Sequence, residues 1–238
     1  MTDAPKTFVL VHGAWHGGWC WRRVADLLRA RGHLVYTPTL TGLADKSHLM
    51  SKDISIQTHS DDVSNLIKWE GLDNVCLVGH SYGGFVISLV AEAVGEKLSS
   101  FVFLDAFVPE DGEDPLARIS GPVREGIEAD IARGVLGRAP PPAAYFKVQS
   151  DSDRRWVDSL VTPQPNNVWR GLMRLSGARE KVARKSYIRA GLYAAEHFDA
   201  AMAKLRARPG WEIMAIAGGH DLMVDAPTEL ADALERLA

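Results

Sequence analysis

Over the first hundred residues, short apolar runs alternate with amphipathic stretches. Phe8-Val9-Leu10-Val11 is a continuous apolar run that stops at His12-Gly13, as expected of a strand buried on both faces. Trp21 to Ala30 follows at helical spacing, with Val24, Leu27 and Leu28 on one side and Arg22, Arg23 and Arg29 elsewhere; Gly32 stops it. Leu34-Val35-Tyr36 predicts a second strand, closed by Pro38. Ile56 to Trp69 predicts a helix that buries Ile56, Val63, Leu66 and Ile67. Val75 to Val78 predicts a third strand, Gly83 to Glu92 a helix of small and apolar residues, and Phe101 to Leu104 a fourth strand. Strands alternating with helices need crossover connections, and these give an α/β fold with a mostly parallel sheet flanked by helices.

The texture changes after Pro109. Residues 110–184 carry no strong strand signal, hold prolines at 140–142, 163 and 165, and show helical patches at Val123 to Arg133 and Val168 to Leu175. They predict a mostly helical cap inserted into a core formed by residues 1–109 and 185–238. The alternation then resumes: a strand at Ser186 to Leu192, a helix at Phe198 to Arg206, a strand at Trp211 to Ala217 and a closing helix at Pro227 to Leu237.

Composition narrows the partners. In 238 residues, 46% are apolar and 24% charged, enough for a core without disulfide or metal staples. The net charge of −3 gives no reason to expect nucleic acid or an anionic membrane as partner. No apolar run approaches the roughly 18 residues that span a bilayer, and Met1 to Lys6 lacks a secretory layout. A cytoplasmic protein is expected, with Cys20 and Cys76 as buried free thiols, no metal and a homodimer left open.

Candidate chemistry sits at Gly79-His80-Ser81-Tyr82-Gly83, a G-x-S-x-G motif. Its five residues alone are weak evidence; their place between an apolar strand and a helix is strong. A serine on a sharp strand-to-helix turn projects its Oγ clear of the sheet, and the turn needs small residues two before and two after it. Serine needs a base. His220, in Ala217-Gly218-Gly219-His220-Asp221, follows the last predicted strand, and loops after parallel strands gather on one edge. His12, His16, His33, His48, His59, His80 and His197 read as structural or solvated. An oxyanion hole needs two backbone N–H donors; Tyr82, after the nucleophile, and Ala14, after the first strand, are the candidates.

Phe8 to Trp19, with His12-Gly13-Ala14-Trp15-His16-Gly17-Gly18, and Gly79 to Gly84 resemble the small α/β hydrolases that include plant methyl-ester esterases and hydroxynitrile lyases. The likeness extends to Phe101–Pro109 and Trp211–Pro227 and fades over the cap. It implies an α/β-hydrolase fold with an inserted helical cap, no cofactor, and Ala14 and Tyr82 as oxyanion donors. The lyases of that family carry a threonine in place of Gly13 and a lysine in place of Asp221, so the resemblance favours ester hydrolysis. One feature departs from it. The family's triad acid would fall near Tyr193, where this chain has no aspartate. Asp105, after the fourth strand, is the leading candidate, with Glu196 and Asp221 as alternatives. Trp15, Tyr82, Phe107, Tyr145, Phe146, Trp156, Trp169 and Leu222 are candidate pocket residues. The expected function is a carboxylesterase cleaving a small uncharged ester, apolar or aromatic, through an acyl-enzyme. A hydroxynitrile lyase-like lyase, an amidase or C–C hydrolase, or a non-catalytic receptor on the same fold are the alternatives.

Overall fold

A computed structural model describes residues 4–119 and 121–238. Six parallel strands form the main sheet: β1 (Thr7–Val11), β2 (Leu34–Tyr36), β3 (Val75–His80), β4 (Leu98–Leu104), β7 (Arg184–Ala190) and β8 (Trp211–Ile216). Their order is β2-β1-β3-β4-β7-β8. The chain moves outward from β1 to β2, then returns to pair β3 on the other side of β1. That reversal opens a crevice at the carboxyl edge between β1 and β3, where open α/β sheets bind ligands.

Alternate strand residues feed opposite faces, as the pleat demands. Val9, Val11, Val75, Leu77, Phe101 and Phe103 enter one core with Val63 and Ile67 of α2 (Ile56–Trp69) and Phe85, Val86 and Val90 of α3 (Gly83–Val94). Phe8, Leu10, Cys76, Val78, Val102 and Leu104 enter the other with Val24 and Leu28 of α1 (Arg22–Ala30) and Leu230, Leu234 and Leu237 of α8 (Pro227–Leu237). Strands covered on both sides read as unbroken apolar runs for this reason. Both cysteines are buried and free.

Between β4 and β7 the chain makes one long excursion. It holds α4 (Gly121–Ala132), a two-residue strand pair formed by β5 (Gly137–Arg138) and β6 (Gln164–Pro165), and α5 (Asp151–Leu160). One expectation fails here and one helix goes unpredicted. The helical patch at Val168 to Leu175 is a single 3-10 turn, Asn166–Trp169, followed by irregular chain; Gly171 at φ +102° turns the backbone out of helical space. Conversely, the apolar pattern does not announce α5, although Ser150 accepts from the Asp153 amide as an N-cap and Asp151 and Asp153 fill the first turn. After β7, α6 (Glu196–Arg206), β8, the short α7 (Leu222–Asp225) and α8 complete the core. Among the described residues, no helix is long and apolar enough to cross a membrane.

Candidate active site

The sheet register lays out the site. Val11 pairs Gly79, Gly79 pairs Phe103, and Phe103 pairs Tyr187. Two residues further along each strand, Gly13, Ser81, Asp105 and Arg189 therefore stand in a row along the carboxyl edge. His220 reaches the same edge from the loop after β8.

Ser81 occupies the turn between β3 and α3 at φ +53°, a region that non-glycine residues seldom enter. Its neighbours enforce the turn. A Cβ on Gly79 would lie 2.7 Å from the Gly83 carbonyl oxygen, and one on Gly83 would lie 2.9 Å from that of His12. Trp15 (φ +66°) and Asp105 (φ +42°) are held in the same strained region, so three of the six non-glycine residues with positive φ among the described residues stand at this edge.

The side chains converge. Ser81 Oγ is 2.9 Å from His220 Nε2. His220 Nδ1 is 2.6 Å from Asp105 Oδ2 and donates to that carboxylate. The second Asp105 oxygen, Oδ1, accepts from Arg189 Nη1 at 2.6 Å and from the Ala190 amide at 3.0 Å. Arg189 also donates to Asp199 and to the carbonyls of Ala190 and Tyr193. The carboxylate that reaches His220 is thus Asp105; Glu196 lies exposed at the start of α6, and Asp221 turns to His16 and His80. Phe146, Tyr193 and Phe198 stack against the His220 ring, with centroids 5.8, 4.7 and 5.3 Å away.

The loop after β1 is pinned from several sides. His12 Nε2 accepts from the Leu40 amide, which leaves Nδ1 to donate to the Gly13 carbonyl at 2.8 Å. His16 Nδ1 donates to the Ala14 carbonyl at 2.8 Å, and the Trp15 amide donates to Gln164 Oε1 of β6 at 2.9 Å. Among the described residues, the amides of Ala14 and Tyr82 donate to no protein group. The Tyr82 amide also opens α3, whose dipole favours negative charge there. The Tyr82 hydroxyl donates to His59 Nδ1 at 2.9 Å, since His59 Nε2 donates to the Thr41 carbonyl.

A cavity of about 150 Å³ opens over these groups. Ala14, Trp15, Ser81, Tyr82, Phe107, Tyr145, Phe146, Trp169 and His220, all singled out from the sequence, line it. Trp156 and Leu222 do not. Trp156 packs edge-on to Trp19 and under Arg23, and Leu222 is fully buried in the core at α7. Their apolar character was legible, but the direction they face was not. Sequence reasoning also missed Tyr193, Phe198 and His197 on the cavity wall, and Arg189. The last carries a readable signal: a cation inside a strand that is otherwise apolar toward its end, where only a buried carboxylate could balance it.

Known proteins resemble this chain along nearly its whole length. A relative from Nocardioides sp. (strain SG-4G), a carbendazim hydrolyzing esterase, is 40% identical over 97% of this chain and 98% of its own. Methylesterase 7 of Arabidopsis thaliana is 28% identical over 98% of this chain and 96% of its own. Among solved structures, an extracellular alpha/beta-hydrolase from a Paenibacillus species, which shares structural and functional homology with Tobacco Salicylic Acid Binding Protein 2, superposes with a TM-score of 0.86. It is 24% identical and covers 98% of this chain and 99% of its own. The Alpha/beta hydrolase family profile matches residues 8–233, and the chain belongs to that family.

Proposed function

We propose that this protein is a serine esterase that cleaves small, uncharged esters through an acyl-enzyme. The observation that carries the reading is the chain of contacts Ser81 Oγ–His220 Nε2–Asp105, at 2.9 and 2.6 Å. His220 takes the Ser81 proton as Oγ attacks the ester carbonyl. Asp105 holds the imidazole with Nδ1 protonated and Nε2 free, and balances the charge the ring acquires. The Ala14 and Tyr82 amides receive the oxyanion, each such donor being worth about 10²–10³ in kcat. His220 then protonates the departing alcohol. Water then gives a proton to His220 as its oxygen attacks the acyl carbonyl; the bond to Ser81 Oγ breaks, His220 returns the proton to Oγ, and the acid leaves with the resting state restored.

The cavity supports a small substrate: it is well below the roughly 300–1,000 Å³ of drug-sized sites, and its wall is mostly aromatic. The excursion between β4 and β7 supplies Tyr145, Phe146 and Trp169 to that wall, and it serves as the lid. A Cβ at Gly13 would lie 2.8 Å from His80 Nδ1 and 3.0 Å from Ser81 Cβ, so the threonine that the resembling lyases carry there has no room without a shift, which supports ester cleavage over cyanohydrin cleavage. The esterase relative and the methylesterases lend the same support.

The test is a panel of short-chain aryl esters, methyl esters, amides and carbendazim against the wild type and Ser81→Ala. Ester turnover is expected in the wild type and loss to background in the variant, with one mole of an organophosphonate taken up per mole of wild type. Ester turnover that survives in Ser81→Ala overturns the reading.

A further inference from the structure

Behind the reacting groups lies a second set of titratable side chains that this mechanism leaves unused. His16, His80 and Asp221 are all buried, and each belongs to a different active-site segment: the loop after β1, the end of β3 and the loop after β8. His16 Nε2 lies 3.3 Å from one Asp221 oxygen, and His80 Nε2 lies 3.8 Å from the other. Among the described residues, neither Asp221 oxygen accepts a hydrogen bond. A carboxylate buried in this way requires a compensating charge. The nearest groups able to carry that charge are the His16 and His80 imidazoles, one beside each oxygen.

The hydrogen bonds identify which one. His80 Nε2 donates to the His220 carbonyl at 3.0 Å, and its Nδ1 has no partner. Burial, and after it the charge of His220, push the His80 pKa well below 6.5, so this ring is neutral. His16 Nδ1 donates to the Ala14 carbonyl. A neutral His16 would then turn a bare lone pair from Nε2 toward a carboxylate, in a place closed to water. One proton must lie between them. Burial alone lowers the His16 pKa and raises that of Asp221; the charges outweigh it, raising His16 and holding Asp221 at about 2. Around this pair, His12 and His80 face His16, while His80, His220, Cys20, Tyr193 and Asp225 lie in the field of Asp221.

We propose that Asp221 is a positioning residue of the active site: paired with a protonated His16, it clamps the loop that aims the Ala14 N–H at the oxyanion. The inference rests on the reading of Ala14 as an oxyanion donor. The peptide before Ala14 is held at its oxygen by His12, and the peptide after it is held at its oxygen by His16 and at its nitrogen by Gln164. Trp15, next along, sits at φ +66° and relaxes if one of these ties is cut. Asp221 adjoins His220 in sequence, so the same carboxylate joins the loop that binds the oxyanion to the loop that carries the base.

Asp221→Asn tests the proposal, because the amide matches the carboxylate in shape and can donate to a neutral His16. We expect kcat on an aryl ester to fall about 10- to 100-fold with KM little changed, as for a transition-state donor displaced by a fraction of an ångström. Affinity for a boronic acid, which forms a tetrahedral adduct with Ser81, should fall by the same factor. The wild type should lose activity at alkaline pH as His16 gives up its proton; in the variant His16 is already neutral and that limb disappears. In the wild type, ¹⁵N NMR of labelled histidine should show both His16 nitrogens protonated at neutral pH. That measurement needs no variant to fold. A singly protonated His16 in the wild type, or an Asp221→Asn enzyme with unchanged kcat and boronate affinity, overturns the proposal. Ester turnover surviving in Ser81→Ala would instead defeat the serine-esterase reading, and the His16 spectrum would stand apart from it.

Discussion

Asp105 serves three partners at once. One oxygen meets His220, and the other meets Arg189 and the Ala190 amide, so the carboxylate is fixed in plane and rotation before substrate arrives. Asp105→Asn should keep the fold and lower kcat by about 10³–10⁴, because an amide facing Nδ1 no longer selects the working tautomer. Steady-state kinetics with near-ultraviolet circular dichroism as the control for folding check this; near-full turnover would move the role to another residue. Arg189 is the less obvious half of the pair. Its side chain is almost fully buried and bonded to two carboxylates and two carbonyls. Arg189→Met leaves Asp105 buried with a single main-chain donor besides His220. Such uncompensated charges cost about 3–5 kcal/mol, to be read as a lowered urea midpoint, and the loosened carboxylate should lower kcat as well.

At the scale of elements, the strand–turn–helix around Ser81 is rigid because backbone meets backbone. Gly79 and Gly83 leave no room for a side chain, and α3 is buried along most of its length. The loop after β1 is held differently, by the excursion between β4 and β7. Gln164, fully buried on β6, accepts the Trp15 amide, while the Trp15 indole donates to the Arg138 carbonyl of β5. Gln164→Leu removes that acceptor and leaves a buried donor unpaired, a cost of about 1–3 kcal/mol. It should lower kcat on esters while retaining the fold, and unchanged kinetics would show that the excursion does not govern the loop. Away from the site, α2 is capped by Ser55 and Thr58 in a reciprocal box. Ser55→Ala should cost about 1 kcal/mol of stability with kcat unchanged, as denaturant titration and kinetics can show.

For the molecule as a whole, buried histidines tie stability to pH. Burial lowers His12 to about 3 and His59 to about 4, against 6.5 when unfolded. Both are locked into neutral tautomers by hydrogen bonds. Folded, they bind no proton near neutrality; unfolded, they take one up below pH 6.5. Their contribution is therefore complete above that pH and drains away as pH falls toward the folded values, at about 1.4 kcal/mol per pH unit and per group. The urea midpoint should decline steeply between pH 6.5 and 4, and His59→Gln should flatten the slope. A midpoint constant over that range would contradict the buried neutral state. Asp221, held at about 2 against an ordinary 3.8, adds a further loss only in stronger acid.

The local pattern by itself determined a good part of this protein. The buried strands were legible because a sheet covered on both faces needs unbroken apolar runs, and α2 and α8 because a one-sided helix needs apolar residues at its own period. Ser81 was legible because the strained turn admits glycine alone at Gly79 and Gly83, and His220 because it follows the last strand of a parallel sheet. Tertiary structure decided the rest. Asp105 already led as the acid because it follows the fourth strand on the same edge; setting aside Glu196 and Asp221 needed the register of β3, β4 and β7 and the pairing of Asp221 with His16, which join residues far apart in the chain. The same is true of Arg189 beside Asp105 and of His16 beside Asp221, where the partner makes the charge tolerable. Trp156 and Leu222 looked like pocket residues in composition, but which way an apolar side chain faces is fixed only when its element packs.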